Sequence, residues 1–325
     1  MPLIERLEAF EDVWESEVGD TSLVRVRSIE RAFGLRQVFL KLEGDNPTGT
    51  QKDRIAFAQV YDALRRRSRG MVLATCGNYG VAAGYAARVA RLRCVAVLPA
   101  SYNAPRAPQI AATGAEIRRE GEDYEGAVAA ARRIALDEGL YDANAGGANE
   151  DLQLRAYRAI AYEIFDELRD APAAVAAPVS NGTTLAGLHR GFLSLERRGR
   201  SSHMPRLIGG SAFRMNPIVR AWETGDPVCS DLEPTRIRET TVNEPLVNWH
   251  AIDGQRALDA IRETDGAAVG LSDRRLRDLA RMLRHEQGLI VQPASTAGLA
   301  ALLETHQRNP LPPARYVAVI TARSE

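Results

Sequence analysis

Lys52 is the residue whose type and position in this sequence most suggest chemistry. Of the 42 basic residues, only Lys41 and Lys52 are lysines, and all the others are arginines. A lysine amine can lose its proton and attack a carbonyl group, whereas a guanidinium stays charged at any relevant pH. The count alone favours a reactive lysine no more than the chance survival of two lysines, so the neighbouring residues must decide.

The segment around Lys52 has the pattern of a strand that turns into a helix. An apolar run over 38–42 leads into Asn46-Pro47-Thr48-Gly49-Thr50-Gln51-Lys52-Asp53-Arg54, and a helical pattern follows from Ile55. The pattern predicts that Lys52 lies near the N-terminus of a helix. Asp53 then falls in the first helical turn, where an acidic residue is ordinary, so we interpret it as structural.

Two further segments combine small and polar residues directly after predicted strands. In the first, Gly77 and Gly80 would let a ligand approach the backbone, Asn78 offers a donor and an acceptor, and the helix that follows would offer N–H groups to a carboxylate. The second segment suits a phosphate, because hydroxyl and glycine residues precede a helix without a nucleotide-binding fingerprint; it consists of Ser180, Asn181, Gly182, Thr183 and Thr184.

The last predicted strand ends on the hydroxyl of Thr321, which could make one hydrogen bond to a ring nitrogen. A reactive lysine, a phosphate cradle, an asparagine loop and a terminal hydroxyl are the parts needed to hold pyridoxal phosphate. The sequence therefore predicts this cofactor.

Composition and charge exclude several other classes of protein. The net charge is zero, which predicts neither a nucleic acid nor a membrane as partner. No apolar run approaches the roughly 18 residues that a membrane span needs. Three dispersed cysteines and an N-terminal stretch without a secretory pattern predict a cytoplasmic protein. The five histidines form no pair at metal-ligand spacing, so no metal site is predicted.

Apolar runs alternate with amphipathic helical patterns along the chain, which is typical of an α/β fold with mostly parallel sheets covered by helices. Strands are predicted at 71–75, 94–98, 173–179, 207–211, 267–271 and 316–321. Helices are predicted at 53–67, 80–91, 124–137, 152–168, 184–196, 272–286 and 295–304. The stretch 225–253 has little periodicity and is interpreted as a flap or an interface segment.

The sequence resembles the threonine synthase branch of the fold type II (tryptophan synthase β-like) pyridoxal phosphate enzymes. The Asn-Pro-Thr-Gly-x-x-Lys-Asp-Arg segment is the most specific match. Weaker matches follow in the order of the family, at Gly77-Asn78, Leu98-Pro99, Asn181-Gly182-Thr183-Thr184, Asn248-Trp249, Gln292-Pro293-Ala294-Ser295 and Ile320-Thr321.

The resemblance implies a fold of two domains, each a mostly parallel twisted sheet flanked by helices. A larger cofactor-binding domain would comprise 1–55 and 146–325, and a smaller domain, 56–145, would bind the substrate carboxylate. It also implies that Lys52 forms the Schiff base, that Asn78 binds the pyridine 3-oxygen, and that residues 180–184 hold the phosphate. Thr321 would face the ring nitrogen, and the substrate carboxylate would lie at Thr75, Cys76, Gly77 and Tyr79.

Several positions that would contact the substrate differ from the family pattern. The arginine expected to grip a substrate phosphate falls on Gln153, and a bulky Tyr79 follows the loop asparagine. Arg155 or Arg106 could take over from the missing arginine, although a displaced guanidinium rarely replaces a bidentate one without loss. Because the cofactor positions are largely kept, we expect the cofactor chemistry with a substrate other than O-phosphohomoserine.

The expected function is that of a lyase or synthase that eliminates or replaces a group at Cβ or Cγ of an amino acid. A β-replacement or β-elimination enzyme of the cysteine synthase or serine/threonine dehydratase type is the alternative within this class. A catalytically silent cofactor-binding regulatory protein is an alternative of another class, and a nicotinamide oxidoreductase is a distant third. The resemblance also implies a homodimer.

Overall fold

The chain is described by a computed structural model at residues 2–75, 77–100 and 104–324. Its described strands are β1 (Leu23–Arg25), β2 (Val38–Leu42), β3 (Gly70–Ala74), β4 (Arg93–Leu98), β5 (Glu116–Arg119), β6 (Tyr141–Asp142), β7 (Ala174–Pro178), β8 (Arg206–Ala212), β9 (Ala267–Leu271) and β10 (Tyr316–Ile320).

The described α-helices are α1 (Leu3–Glu17), α2 (Arg27–Phe33), α3 (Lys52–Arg65), α4 (Asn78–Val89), α5 (Ala107–Ala112), α6 (Tyr124–Glu138), α7 (Glu150–Leu168), α8 (Thr183–Arg197), α9 (Pro217–Thr224), α10 (Gly254–Glu263), α11 (Asp273–Gln287) and α12 (Ala297–Arg308). Short 3₁₀ turns lie at Glu43–Asp45, Gly147–Asn149, Pro234–Arg236 and Pro293–Thr296. In the part of the chain that the structure describes, no helix has both the length and the apolar character of a membrane-spanning segment.

The residues form two compact units, and the first comprises Met1–Gly19 and Asn46–Ala156. Its sheet has the order β5-β4-β3-β6, and all its neighbouring strands are parallel. Every residue of β3 is buried, because α4 and α6 supply apolar side chains such as Val81 and Ile134 to its two cores. The continuous apolar run of β3 is what a strand covered on both faces requires.

The second unit comprises Asp20–Asp45 and Tyr157–Glu325. Its sheet has the order β1-β2-β10-β7-β8-β9, in which only β1 pairs in the antiparallel sense. Helix α12 packs on this sheet so closely that a Cβ added to Gly298 would lie 2.7 Å from the Cα of Ala177. Glycine at this position lets the helix approach the strand backbone.

The predicted fold class is confirmed, since two mostly parallel sheets with flanking helices are present. The predicted strands and helices all appear, within a few residues at their ends. The short strands β5 and β6 and the helices α2, α5, α9 and α10 were not predicted. The stretch 225–253 is irregular apart from one 3₁₀ turn. The domain boundaries implied by the resemblance remain a prediction.

Candidate active site

Lys52 is the first residue of α3, as the sequence predicts, and it is half-buried. The turn before it is held by Asp53, whose buried carboxylate accepts hydrogen bonds from the Thr48 backbone N–H at 2.9 Å and the Thr48 hydroxyl at 2.8 Å. These bonds support the structural interpretation of Asp53. Burial lowers the pKa of the Lys52 amine from its ordinary value of 10.5 to about 8. A neutral, nucleophilic amine is therefore accessible close to neutral pH.

Lys41, the other lysine, is placed quite differently. Its side chain is 1% exposed, with Nζ 2.6 Å from Oε2 of Glu163, and it donates a hydrogen bond of 2.5 Å to the Thr21 carbonyl. All three residues belong to the second unit. A buried ammonium with an ionic partner and a carbonyl acceptor is a structural group, so only Lys52 has the surroundings of a nucleophile.

The loop after β3 is organised by the hydroxyl of Thr75. This oxygen accepts hydrogen bonds from the backbone N–H groups of Gly77 at 3.2 Å and Gly80 at 2.9 Å. Because both bonds use Oγ1 as acceptor, the hydroxyl hydrogen is still available to donate to a ligand. Helix α4 then begins at Asn78, which places the amide at the helix N-terminus as predicted. Cys76, the other predicted carboxylate-binding residue of this loop, lies outside the described residues.

Tyr79 has its hydroxyl engaged by the protein of the first unit. The hydroxyl donates to the carbonyl of Ala143 at 2.7 Å and accepts a hydrogen bond from Nε2 of Gln59 in α3. Gln59 is completely buried, and its Oε1 has no hydrogen-bond partner among the described residues. The phenol thus joins α3, α4 and the residues after β6, and its predicted contact with substrate stays a prediction.

Neither Gln153, which stands where the family pattern has an arginine, nor Arg155, its possible replacement, offers a guanidinium to a substrate phosphate. Gln153 is 1% exposed; it accepts from the Gly146 N–H and donates to the Asn144 carbonyl, both at 3.3 Å. Arg155 is exposed and pairs with Asp151 one helical turn earlier, at 2.8 Å. The side chain of Gln153 therefore serves the 144–146 loop, and Arg155 faces solvent.

The predicted phosphate-binding turn lies in the second unit, between β7 and α8. Gly182 has φ +89°, in the left-handed region that glycine tolerates best, and α8 starts at Thr183. The first helical hydrogen bond runs from the Ala186 N–H to the Gly182 carbonyl at 3.0 Å. The backbone N–H groups before Ala186 lie ahead of this bond, where an anion can accept from them.

Residues distant in sequence, which the sequence analysis did not connect with this turn, hold it through hydrogen bonds. The Asp253 N–H donates to the Asn181 carbonyl at 2.9 Å, and the Thr183 hydroxyl donates to the Asp253 carboxylate at 2.5 Å. The side-chain amide of Asn248 donates to Oδ1 of Asn181. Asn248 belongs to a matching dipeptide of the family, but no local pattern reveals that Asp253 contacts a turn 70 residues away.

Thr321 and the predicted phosphate-binding turn lie at the same edge of the second sheet. Strands β7 and β10 are parallel neighbours with Ala176 opposite Ala318, so their carboxyl ends finish side by side. Thr321 follows β10, is half-buried and donates to the hydroxyl of Ser295 at 3.3 Å. This edge is where open parallel sheets bind ligands.

The fold and these residues are those of an α/β protein with a lysine of lowered pKa in one unit and, in the other, a helix that begins after a left-handed glycine. The family that matches residues 15–322 is described as pyridoxal-phosphate dependent enzyme. Since the match covers nearly the whole chain, the protein belongs to this family. The predictions of a pyridoxal phosphate enzyme and of its cofactor are thereby confirmed.

Threonine synthases are among the similar sequences. The enzyme of Methanocaldococcus jannaschii is 27% identical over 290 residues, which are 87% of this chain and 69% of that protein. The enzyme of Bacillus sp. (strain ULM1) is 29% identical over 288 residues, or 88% of this chain and 77% of that protein. The predicted resemblance to threonine synthases is confirmed.

Similar solved structures confirm the fold. Maize serine racemase has a TM-score of 0.81 at 16% identity, covering 99% of this chain and 93% of the racemase. The processed form of threonine deaminase isoform 2 from Solanum lycopersicum has a TM-score of 0.79 at 16% identity, covering 99% of this chain and 90% of the deaminase. At these identities the likeness concerns the fold only.

The residues present fit pyridoxal phosphate on two observations. The pKa of Lys52 is lowered by burial, as a Schiff-base lysine requires. Gly182, in the left-handed region, precedes α8, whose N-terminal N–H groups can bind an anion. Each observation is made within one unit.

Proposed function

We propose that the protein uses pyridoxal phosphate to eliminate or replace a group at Cβ or Cγ of an amino acid, and so acts as a lyase. The observation that carries the proposal is the half-buried Lys52 at the start of α3, whose pKa is lowered to about 8 within the specific Asn-Pro-Thr-Gly-x-x-Lys-Asp-Arg segment. When bound, the cofactor supplies an electron sink that makes the Cα proton of an amino acid acidic.

In this proposal Lys52 has two tasks. The Lys52 amine would carry the cofactor and, once the substrate amine had displaced it, would take the proton from Cα. A leaving group would then depart from Cβ, or from Cγ after a second proton has been removed from Cβ, and water or another nucleophile could add in its place. Near neutral pH a lysine with a pKa of about 8 can both accept and return this proton.

The turn around Gly182 would hold the phosphate mainly through backbone N–H groups. Ser180 and Thr184 would add hydroxyl donors, while the Thr183 hydroxyl already donates to Asp253. We therefore expect Thr183 to contribute its N–H group rather than its side chain. Thr321 would meet the ring nitrogen with a hydroxyl in place of a carboxylate, which leaves the ring less firmly protonated.

The substrate carboxylate would bind at the loop after β3. The hydroxyl hydrogen of Thr75 and the N–H groups of α4 ahead of Gly80 would be its donors, since the Gly80 N–H already donates to Thr75. Because Gln153 is bonded to the backbone of the 144–146 loop and Arg155 pairs with Asp151, neither supplies the clamp that a substrate phosphate would need. We propose a substrate other than O-phosphohomoserine.

The lysine content permits a direct test. Protein supplied with the cofactor should show an absorbance band near the visible edge, and borohydride reduction followed by peptide mass spectrometry should place the label on Lys52. Lys41 is the internal control, because its ammonium is buried and paired with Glu163. A band that persists in Lys52→Ala, or label on Lys41 instead, would contradict the proposal.

A substrate panel separates β- from γ-chemistry. O-phosphohomoserine, O-acetylhomoserine, O-phosphoserine, O-acetylserine, serine and threonine would each be added to the cofactor-loaded protein, with the spectrum and the release of product followed. We expect turnover of a substrate with a small leaving group at Cβ or Cγ and none of O-phosphohomoserine. Failure of every amino acid to react would favour a silent cofactor-binding protein.

We also propose that the protein is a cytoplasmic homodimer, on the resemblance to the family and on the cysteine content. Light scattering behind a gel-filtration column measures the mass of the assembly, and fractionation of cells shows its location. A mass near 35.5 kDa would indicate a monomer and contradict the dimer.

A further inference from the structure

Arg106 contacts the side chain of Asn78 in the first unit. Its guanidinium donates a hydrogen bond from Nη1 to Oδ1 of Asn78, and its Nε donates to Oε1 of Gln109 at 2.7 Å. A Cβ added to Gly77 would lie 3.8 Å from Cδ of Arg106, so the aliphatic part of the arginine runs past the loop backbone at ordinary contact distance. The arginine is thereby held on both sides of its guanidinium.

This contact fixes which way the Asn78 amide faces. A guanidinium has five donors and no acceptor, so the atom of the amide that meets it must be the oxygen. The amide is planar, and its NH₂ group consequently faces away from Arg106. A hydrogen bond from a charged donor is also stronger than a neutral one and polarises the amide, which makes the NH₂ group a better donor.

Helix α5, which follows Arg106, packs against α4, the helix that begins at Asn78. A Cβ on Gly80 would lie 2.7 Å from Cδ1 of Ile110, and one on Gly84 would lie 2.1 Å from Oγ1 of Thr113. Gly80 and Gly84 of α4 thus let the side chains of Ile110 in α5 and of Thr113 after it pack closer to α4 than alanine at either position would allow. Because α5 directly follows Arg106, its docking keeps the arginine in place against Asn78.

We propose that Arg106 is a positioning residue that orients and polarises the Asn78 amide toward the 3-oxygen of pyridoxal phosphate. The inference rests on the proposed function, in which Asn78 binds that oxygen. Arg106 acts here through Asn78 and not as a grip on a substrate phosphate. With Arg106 present, the amide would already be oriented before the cofactor arrives.

The proposal predicts a spectroscopic effect with a definite sign. The amide would stabilise the negative charge on the 3-oxygen, and its polarisation by the guanidinium would strengthen that stabilisation. Both effects hold the pKa of the lysine-linked cofactor down, so Arg106→Met should raise the pH at which its absorbance band changes. The affinity for the cofactor should fall about 10-fold, as for the loss of one charge-assisted hydrogen bond.

The test compares wild type, Arg106→Met, Arg106→Lys, Asn78→Ala and the double variant Arg106→Met/Asn78→Ala, all loaded with cofactor. Absorbance is titrated against pH, cofactor affinity is measured, and thermal unfolding shows that each variant is folded. We expect Arg106→Met to shift the midpoint upward, Arg106→Lys to recover part of the shift, and the double variant to match Asn78→Ala. Arg155→Met, which removes an exposed arginine, is the matched control and should leave the midpoint unchanged.

The outcomes separate this inference from the proposed function. A wild-type protein without any lysine-linked band would overturn both. A normal wild-type band with an unchanged midpoint in Arg106→Met would overturn the inference alone. Additive shifts in the double variant would do the same, because they would show that Arg106 acts independently of Asn78.

Discussion

Replacing Gly182 with alanine should damage both the stability and the cofactor binding of the protein, for reasons that can be separated. Gly182 has φ +89°, and an L-residue in the left-handed region costs about 1–2 kcal/mol. The added Cβ would also lie 2.8 Å from the Asp253 carbonyl and 2.9 Å from Cβ of Ala257. Overpacking of this kind costs about 1–3 kcal/mol, so we expect the free energy of unfolding to fall by about 2–5 kcal/mol.

Gly199 supplies the matched control for this substitution. It has φ +64° just after α8, and a Cβ there would have no heavy atom of the described residues within 4 Å. Gly199→Ala therefore carries the backbone cost of about 1–2 kcal/mol without the steric one. Urea unfolding followed by tryptophan fluorescence measures the loss in free energy of unfolding for both Gly182→Ala and Gly199→Ala.

Cofactor affinity completes the comparison of the two glycines. The contact with Asp253 displaces the turn that would bind the phosphate, so Gly182→Ala should weaken cofactor binding at least about 10-fold, or about 1.4 kcal/mol. Gly199→Ala should leave the affinity unchanged. Equal stability losses in the two variants, or normal affinity in Gly182→Ala, would show that the close approach of Asp253 does not shape the turn.

Three further predictions concern the lysines and Tyr79. Lys52→Met should raise the free energy of unfolding of the cofactor-free protein at pH 7 by at most about 3 kcal/mol, because the charged amine is disfavoured by burial. This gain should shrink between pH 8 and 10.5, where Lys52 is protonated in the unfolded chain but neutral in the folded one. Unfolding measured as a function of pH tests this. Glu163→Gln should cost about 3 kcal/mol by leaving Lys41 buried without its ionic partner, and the double change with Lys41→Met should recover much of the loss in urea unfolding. Tyr79→Phe should cost about 1–3 kcal/mol in the same assay, because the Ala143 carbonyl loses its donor.

The sheets could be predicted from the sequence because their central strands are covered on both faces. All five residues of β7 and of β10 are buried, and such strands produce continuous apolar runs. The edge strand β5 gave no such run. Its Glu116 pairs with Arg93 at 2.7 Å, and Arg118 pairs with Glu138 at 2.5 Å, so charged residues occupy a strand position.

The candidate site could be predicted only as far as its residues are local in sequence. Lys52 and Gly182 were recognisable because the residues beside them are of the types that form turns between a strand and a helix. The contact of Arg106 with Asn78 spans 28 residues, and that of Asp253 with Thr183 spans 70. Contacts of this range depend on how helices dock, and docking leaves no periodic pattern in one sequence.

The two lysines show why composition alone could not separate a nucleophile from a structural cation. Lys41 is buried against the Thr21 carbonyl and Glu163, where a compact ammonium with three donors fits. An arginine there would bring five donors in a flat fork, and any that stayed unpaired in the core would cost free energy. At position 52 an arginine would fail for a different reason, because a guanidinium cannot give up its proton and so cannot act as a nucleophile. A chain that uses arginine almost everywhere has kept lysine at the two positions where a guanidinium would fail for different physical reasons.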